Sequence, residues 1–119
     1  MPSQAAAREL AERWVAAWNA HDLDGILEHY SEDVKFESPF ASNFTTDGSE
    51  VISGKGALRT FFVRTLGAYP DLRYELEGAY AGVSTIAIAY KTQNEQRATE
   101  VMELEGDQIA RVTAHYASR

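Results

Sequence analysis

The amino-acid sequence predicts an α+β fold in which helices come first and a curved antiparallel sheet follows, with the helices packed on one sheet face. Three observations carry this expectation. Apolar residues in the opening third recur at helical spacing, as in Leu10, Trp14 and Trp18. From Leu72 onward they alternate with polar ones, the period of a half-buried strand. The connections Thr92–Gln96 and Glu105–Asp107 are tight, and short connections between successive strands impose antiparallel pairing. A chain of 119 residues with no internal repeat supports one domain, 1–119.

The first helix is expected from about Gln4 to Ala20, with Ala7, Ala11, Val15 and Ala17 beside the Leu–Trp–Trp stripe and Ser3 as its cap. Asp22 caps a second, short helix to Tyr30 that buries Leu23, Ile26, Leu27 and Tyr30. The period then changes. Val34, Phe36 and Ser38 share one face of a strand that Pro39 stops. Residues 40–50 are polar and long for a connection, which suits a flap or a short hairpin. Val51–Ser53 is a short extended run, and a third helix follows from Lys55 to about Leu66, with Leu58, Phe61 and Phe62 on its apolar face. Four alternating runs complete the chain: 72–77, 84–92, 97–104 and 108–116.

Composition narrows the chemistry. Eleven Lys and Arg stand against 18 Asp and Glu, a formal charge of −7, which is a poor match for a phosphate backbone, so no nucleic-acid partner is expected. Cysteine is absent, which excludes disulfides, thiol nucleophiles and Cys-ligated clusters. The three histidines, His21, His29 and His115, lack metal-ligand spacing, and no phosphate-binding loop or nucleophile elbow occurs. Neither a metal nor a cofactor is therefore expected. The N-terminus has no signal-peptide pattern and no apolar run is long enough to span a bilayer, so a cytoplasmic chain without a membrane partner is the expectation.

Strand parity singles out one residue. Glu100 shares a face with Ala98, Met102 and Leu104, the apolar side of its strand. A carboxyl there must be paired, wet or shifted upward in pKa. In the last strand Ala110, Val112, Ala114 and Tyr116 share one face, while Ile109, Arg111, Thr113 and His115 share the other. Tyr90, which alternates with Ala89 and Lys91, is placed to bring a hydroxyl to a pocket rim. Glu100, Tyr116 and Tyr90 are thus the candidate catalytic residues. Trp14 and Trp18 form a stripe at helical spacing that packs in the core, with one ring lining a cavity as the alternative.

The runs Arg13–Ile26 and Tyr30–Pro39, with Ile52–Leu58 and Leu104–Val112, resemble the steroid Δ5-isomerase and SnoaL-like polyketide cyclase group of the nuclear transport factor 2-like superfamily. The resemblance covers residues 8–116. It implies a cone-shaped, strongly curved antiparallel sheet, packed by three N-terminal helices and enclosing an apolar cavity. It also implies cofactor-independent acid–base chemistry on a small hydrophobic molecule, in a pocket lined by Trp14, Trp18, Tyr30, Phe36, Ser38, Phe61, Phe62, Met102 and Val112. In that group an aspartate base precedes the proline of the first strand, and a tyrosine of the first helix and a protonated aspartate of a late strand hold the developing oxyanion. Those positions are Ser38, Trp14 and Glu100 here. Ser38 cannot take a proton from carbon unaided; the resemblance leaves Glu100 either neutral and donating a hydrogen bond to a ligand oxygen, or ionised and acting as base for an acidic C–H bond or a water molecule.

The expected activity is that of an isomerase, cyclase or hydratase of a small hydrophobic carbonyl compound. The alternatives are a non-catalytic binding protein with the same cavity, or an interaction module. A homodimer is expected through the outer sheet face, where Ile109, Ala87, Ala89 and Val101 would lie.

Overall fold

Helix α1 (Gln4–Asn19) opens the structure, a computed structural model that describes residues 2–45 and 47–118. Ser3 caps it by accepting the N–H of Ala6 at 3.0 Å. Helix α2 (Leu23–Leu27) is capped by Asp22, and strand β1 (Tyr30–Glu37) follows. A 3-10 turn spans Ala41–Asn43, strand β2 is Val51–Ser53, and helix α3 is Lys55–Ala68. Gly54 enters α3 at φ 91°, a left-handed conformation that a side chain would strain, and its N–H donates to the carbonyl of Val34. Four strands close the chain: β3 (Glu75–Ala81), β4 (Thr85–Lys91), β5 (Arg97–Glu105) and β6 (Gln108–Tyr116).

The six strands form one sheet in the order β2-β1-β6-β5-β4-β3. Three expectations need correction. The sheet is mixed, because β1 runs parallel to β6. A parallel pair needs a long crossover, here everything from β2 to β5, and only the local hairpins are readable from connection length. Second, the sheet is open, with β2 and β3 as its edges; it is not the strongly curved cone that the resemblance implied. Third, α3 lies between β2 and β3 in the chain, so only two helices precede the sheet.

Two local readings change as well. Tyr30 begins β1 instead of ending α2, though it is fully buried. Ile109 faces the core, not the outer surface: opposite Glu103 and Leu104, strand β6 carries one extra residue, Ala110, and this bulge reverses the parity of everything before it.

Helix α1 packs on β3 and β4, and α3 on β1 and β2, so the apolar side of the sheet is covered by helices. The core between them is aromatic. Trp14 meets Tyr90 at 5.2 Å between ring centroids and stacks on Tyr74 at 5.8 Å, while Trp18 packs edge-on to Phe62 at 4.8 Å.

Edge strand β3 is protected by two amide side chains of α1. Gln4 donates to the carbonyl of Ala79 and accepts from the N–H of Ala81, and Asn19 makes the same paired contact with the backbone of Tyr74. These amides stand in for a further strand. Replacing Gln4 with Ala is expected to cost about 1–2 kcal/mol, two ordinary hydrogen bonds, measured by urea unfolding.

Candidate functional site

Glu100 sits in the middle of β5, opposite Ile88 of β4 and Ala114 of β6. One row along, Tyr90 of β4 and Tyr116 of β6 flank Ala98 of β5. Both tyrosines are therefore diagonal neighbours of Glu100, across small alanines that leave room above the sheet. The hydroxyl of Tyr90 donates to Oε2 of Glu100 at 2.6 Å. Oε1 has no hydrogen-bond partner among the described residues. Glu100 is 4% exposed.

Burial without a cation pushes the Glu100 carboxyl up to about 7, and the bond from Tyr90, which favours the ionised form, opposes that rise. Removing the opposing bond has a definite sign: in Tyr90→Phe the Glu100 titration should move further upward, read from its carboxyl-carbon NMR shift. Tyr90 and Tyr74 are both pushed well up, first by burial and then by the negative charge of Glu100. Tyr116 is raised in the same way, although the hydroxyls of Tyr90 and Ser38 oppose the rise. The three phenols thus stay protonated, and of them Tyr90 is the one that donates to the carboxyl.

Glu100 forms part of the wall of a cavity of about 510 Å³, a volume suited to a small organic ligand. Trp18, Phe36, Ser38, Phe61, Phe62 and Tyr116 also line it. Trp14, Tyr30, Tyr90, Met102 and Val112 lie in the buried core and are not part of that wall. Trp14 donates its Nε1–H to the Tyr30 hydroxyl at 3.1 Å, so this indole is already satisfied. The Nε1–H of Trp18 is buried with no partner among the described residues.

Ser38, at the position the resemblance assigns to the base, is built into the turn after β1. Its Oγ accepts the N–H of Phe40 at 3.2 Å and its own N–H donates to the carbonyl of Glu50. Glu37 has the opposite parity and is ion-paired with Arg111. His115 is exposed, and among the described residues no three His, Cys, Asp or Glu side chains converge on a metal position. Among these residues no helix is long and apolar enough to cross a membrane.

Several wall residues were missed. Tyr74 carries the same inward parity as Leu72 and Leu76, which the alternation of 72–77 already contained. Phe40 and Phe44 are two aromatics in an otherwise polar loop. The 3-10 turn between them brings Phe40 to Tyr116 at 4.8 Å and Phe44 to Phe61 at 5.1 Å. The amides of Asn43, Gln93, Asn94 and Gln96 edge the cavity, and periodicity offers no signal for these loop positions.

The SnoaL-like domain family matches residues 11–112, most of the chain. The protein belongs to the SnoaL-like family. Among solved structures, a SnoaL-like protein of unknown function from Burkholderia thailandensis is 34% identical, with 98% of each chain covered and a TM-score of 0.91. AclR from Streptomyces galilaeus, provisionally named a hydroxylase, is 22% identical over 98% of this chain and 92% of its own, with a TM-score of 0.76. A provisionally named polyketide cyclase from Sinorhizobium meliloti is 14% identical over 90% and 94%, with a TM-score of 0.74. These last two share the fold with this SnoaL-like protein. The pocket of this chain is lined largely by aromatic and apolar side chains.

Proposed function

We propose that this SnoaL-like protein performs cofactor-independent acid–base chemistry on a small hydrophobic carbonyl compound, with Glu100 as the proton carrier. One observation carries the reading: a buried carboxyl, held by one tyrosine and otherwise unpartnered among the described residues, forms part of the wall of an aromatic cavity. A carboxyl poised near neutrality serves as a base when ionised and as an acid when protonated. In the proposed step, ionised Glu100 takes a proton from the carbon next to the carbonyl. The C–H electron pair forms the C=C bond, and the carbonyl π pair moves to oxygen. Where a further C=C bond is conjugated with the enolate, return of the proton from Glu100 to its far carbon, with the oxygen pair re-forming the C=O bond, completes an isomerisation; return to the original carbon, after the carboxyl proton has exchanged with water, gives exchange with solvent.

The test is proton–deuterium exchange of β-tetralone in heavy water, followed by proton NMR. Exchange faster than in buffer alone is the expected result. Binding of the ketone without added exchange would overturn the acid–base reading in favour of a non-catalytic binding protein, which Ser38 in place of a second carboxyl would then explain.

A further inference from the structure

The cavity wall is one-sided in charge. Glu100 is its single carboxyl, and among the described residues it contains no Lys, Arg, His or Asp. Burial raises this carboxyl to about 7, and no cation of the protein acts on it. Above that pH a buried negative charge stands in the wall without a counter-ion, its Oε1 unpartnered among the described residues. The phenols that feel this charge are Tyr30 of β1, Tyr74 before β3, Tyr90 of β4 and Tyr116 of β6, all raised and therefore neutral. Helices α1 and α3 bring no titratable side chain to the wall; Tyr69, just after α3, is an exposed phenol there.

Most of the apolar wall is aromatic. Phe44 meets Phe61 at 5.1 Å and 69°, and Phe36 meets Phe61 at 5.8 Å and 54°, so the rings turn around the space instead of forming a flat stack. Aromatic rings attract cations, and the −7 charge of the chain draws cations toward it. The wall also restricts which cation fits. A metal ion would have to exchange its water for several ligands, and among the described residues no three His, Cys, Asp or Glu side chains converge. A primary ammonium would bring three N–H donors to a wall with one carboxyl. A cation wrapped in alkyl groups has no N–H to satisfy and suits an aromatic surround.

We infer that the cavity binds a hydrophobic, fully alkylated organic cation, such as a quaternary ammonium, held by the aromatic wall and by the uncompensated charge of Glu100. The ligand supplies the counter-charge that no protein group provides. It need not touch the carboxylate, because a charge in a low-dielectric interior acts across several ångströms. No proton is transferred, so this binding is independent of the acid–base reaction, and the cation would compete with a ketone for the same space.

Calorimetry compares benzyltrimethylammonium with neopentylbenzene, which has the same shape with carbon in place of the charged nitrogen. Neither probe titrates. At about pH 8.5, where Glu100 is ionised, the cation should bind at least about tenfold more tightly. At about pH 5.5, where Glu100 is protonated, the cation should have lost about tenfold in affinity, while the hydrocarbon binds as before. The hydrocarbon also reports that the cavity is intact at both pH values. In Glu100→Gln the pH dependence should vanish; should that variant not fold, the two wild-type comparisons decide alone. The hydrocarbon binding as tightly as the cation at pH 8.5, a wild-type cation affinity that does not change with pH, a pH dependence that survives in Glu100→Gln, or no binding by either probe would each overturn the inference. Ketone exchange is not read, so failure here leaves the acid–base reading standing, and absence of exchange leaves the cation site standing.

Discussion

Glu100→Gln should abolish most of the exchange activity, with a fall of about 10²–10⁴ in rate. Gln keeps an oxygen to accept the Tyr90 hydroxyl and has nearly the same shape, so the cavity and its aromatic wall survive. Only the ability to hold a proton is lost. The wild-type rate should climb with pH and level off above about 7, as the carboxylate that acts as base is formed. The variant should show neither the rate nor the climb. Exchange assays from acid to mildly alkaline pH check both. A variant that retains the wild-type rate would move the chemistry elsewhere, and no other carboxyl lines the cavity among the described residues.

The same substitution should stabilise the protein, and the gain should depend on pH. In the unfolded chain Glu100 titrates near its ordinary value of 4.5; in the fold, burial raises it to about 7. Below the lower value the group is protonated in both states and costs nothing. As pH rises through the interval, the unfolded chain ionises freely while the folded one resists, so stability is lost. Above the folded value the loss is complete, at about 3 kcal/mol. The amide introduced by Glu100→Gln does not titrate, so urea unfolding should show the variant gaining on the wild type by about that amount between acid and mildly alkaline pH. Together the two results describe one cost: a carboxyl kept where it weakens the fold, for the chemistry that its position allows.

Much of this site is written in local sequence. Glu100 stands two residues from Met102 and four from Leu104, and alternation alone puts it on the buried face. Tyr90 and Tyr116 follow from the same rule once the tight turns fix the hairpins. What local pattern does not contain is pairing between distant segments. β1 and β6 are far apart in sequence, and nothing in either strand states that they lie side by side and parallel. The openness of the sheet is likewise a property of its edges, which only the strand order defines. The Ala110 bulge is a one-residue event that reverses Ile109 without disturbing the apparent alternation. Trp14 and Trp18 illustrate the limit within a helix. Both lie on the buried stripe, but only the tertiary arrangement gives Trp14 the Tyr30 hydroxyl and leaves the Trp18 N–H without a partner among the described residues. Phe40 and Phe44 reach the cavity through a 3-10 turn in a polar loop, where no period exists to read.

The central claim is that Glu100 is an enclosed carboxyl without a counter-charge, and its own titration tests this most directly. Carboxyl-carbon NMR across the acid and neutral range, with Glu100→Gln to assign the signal, should give a midpoint near 7. A midpoint at or below 4.5, the ordinary value for the side chain, would mean a hydrated or ion-paired group and would contradict the account.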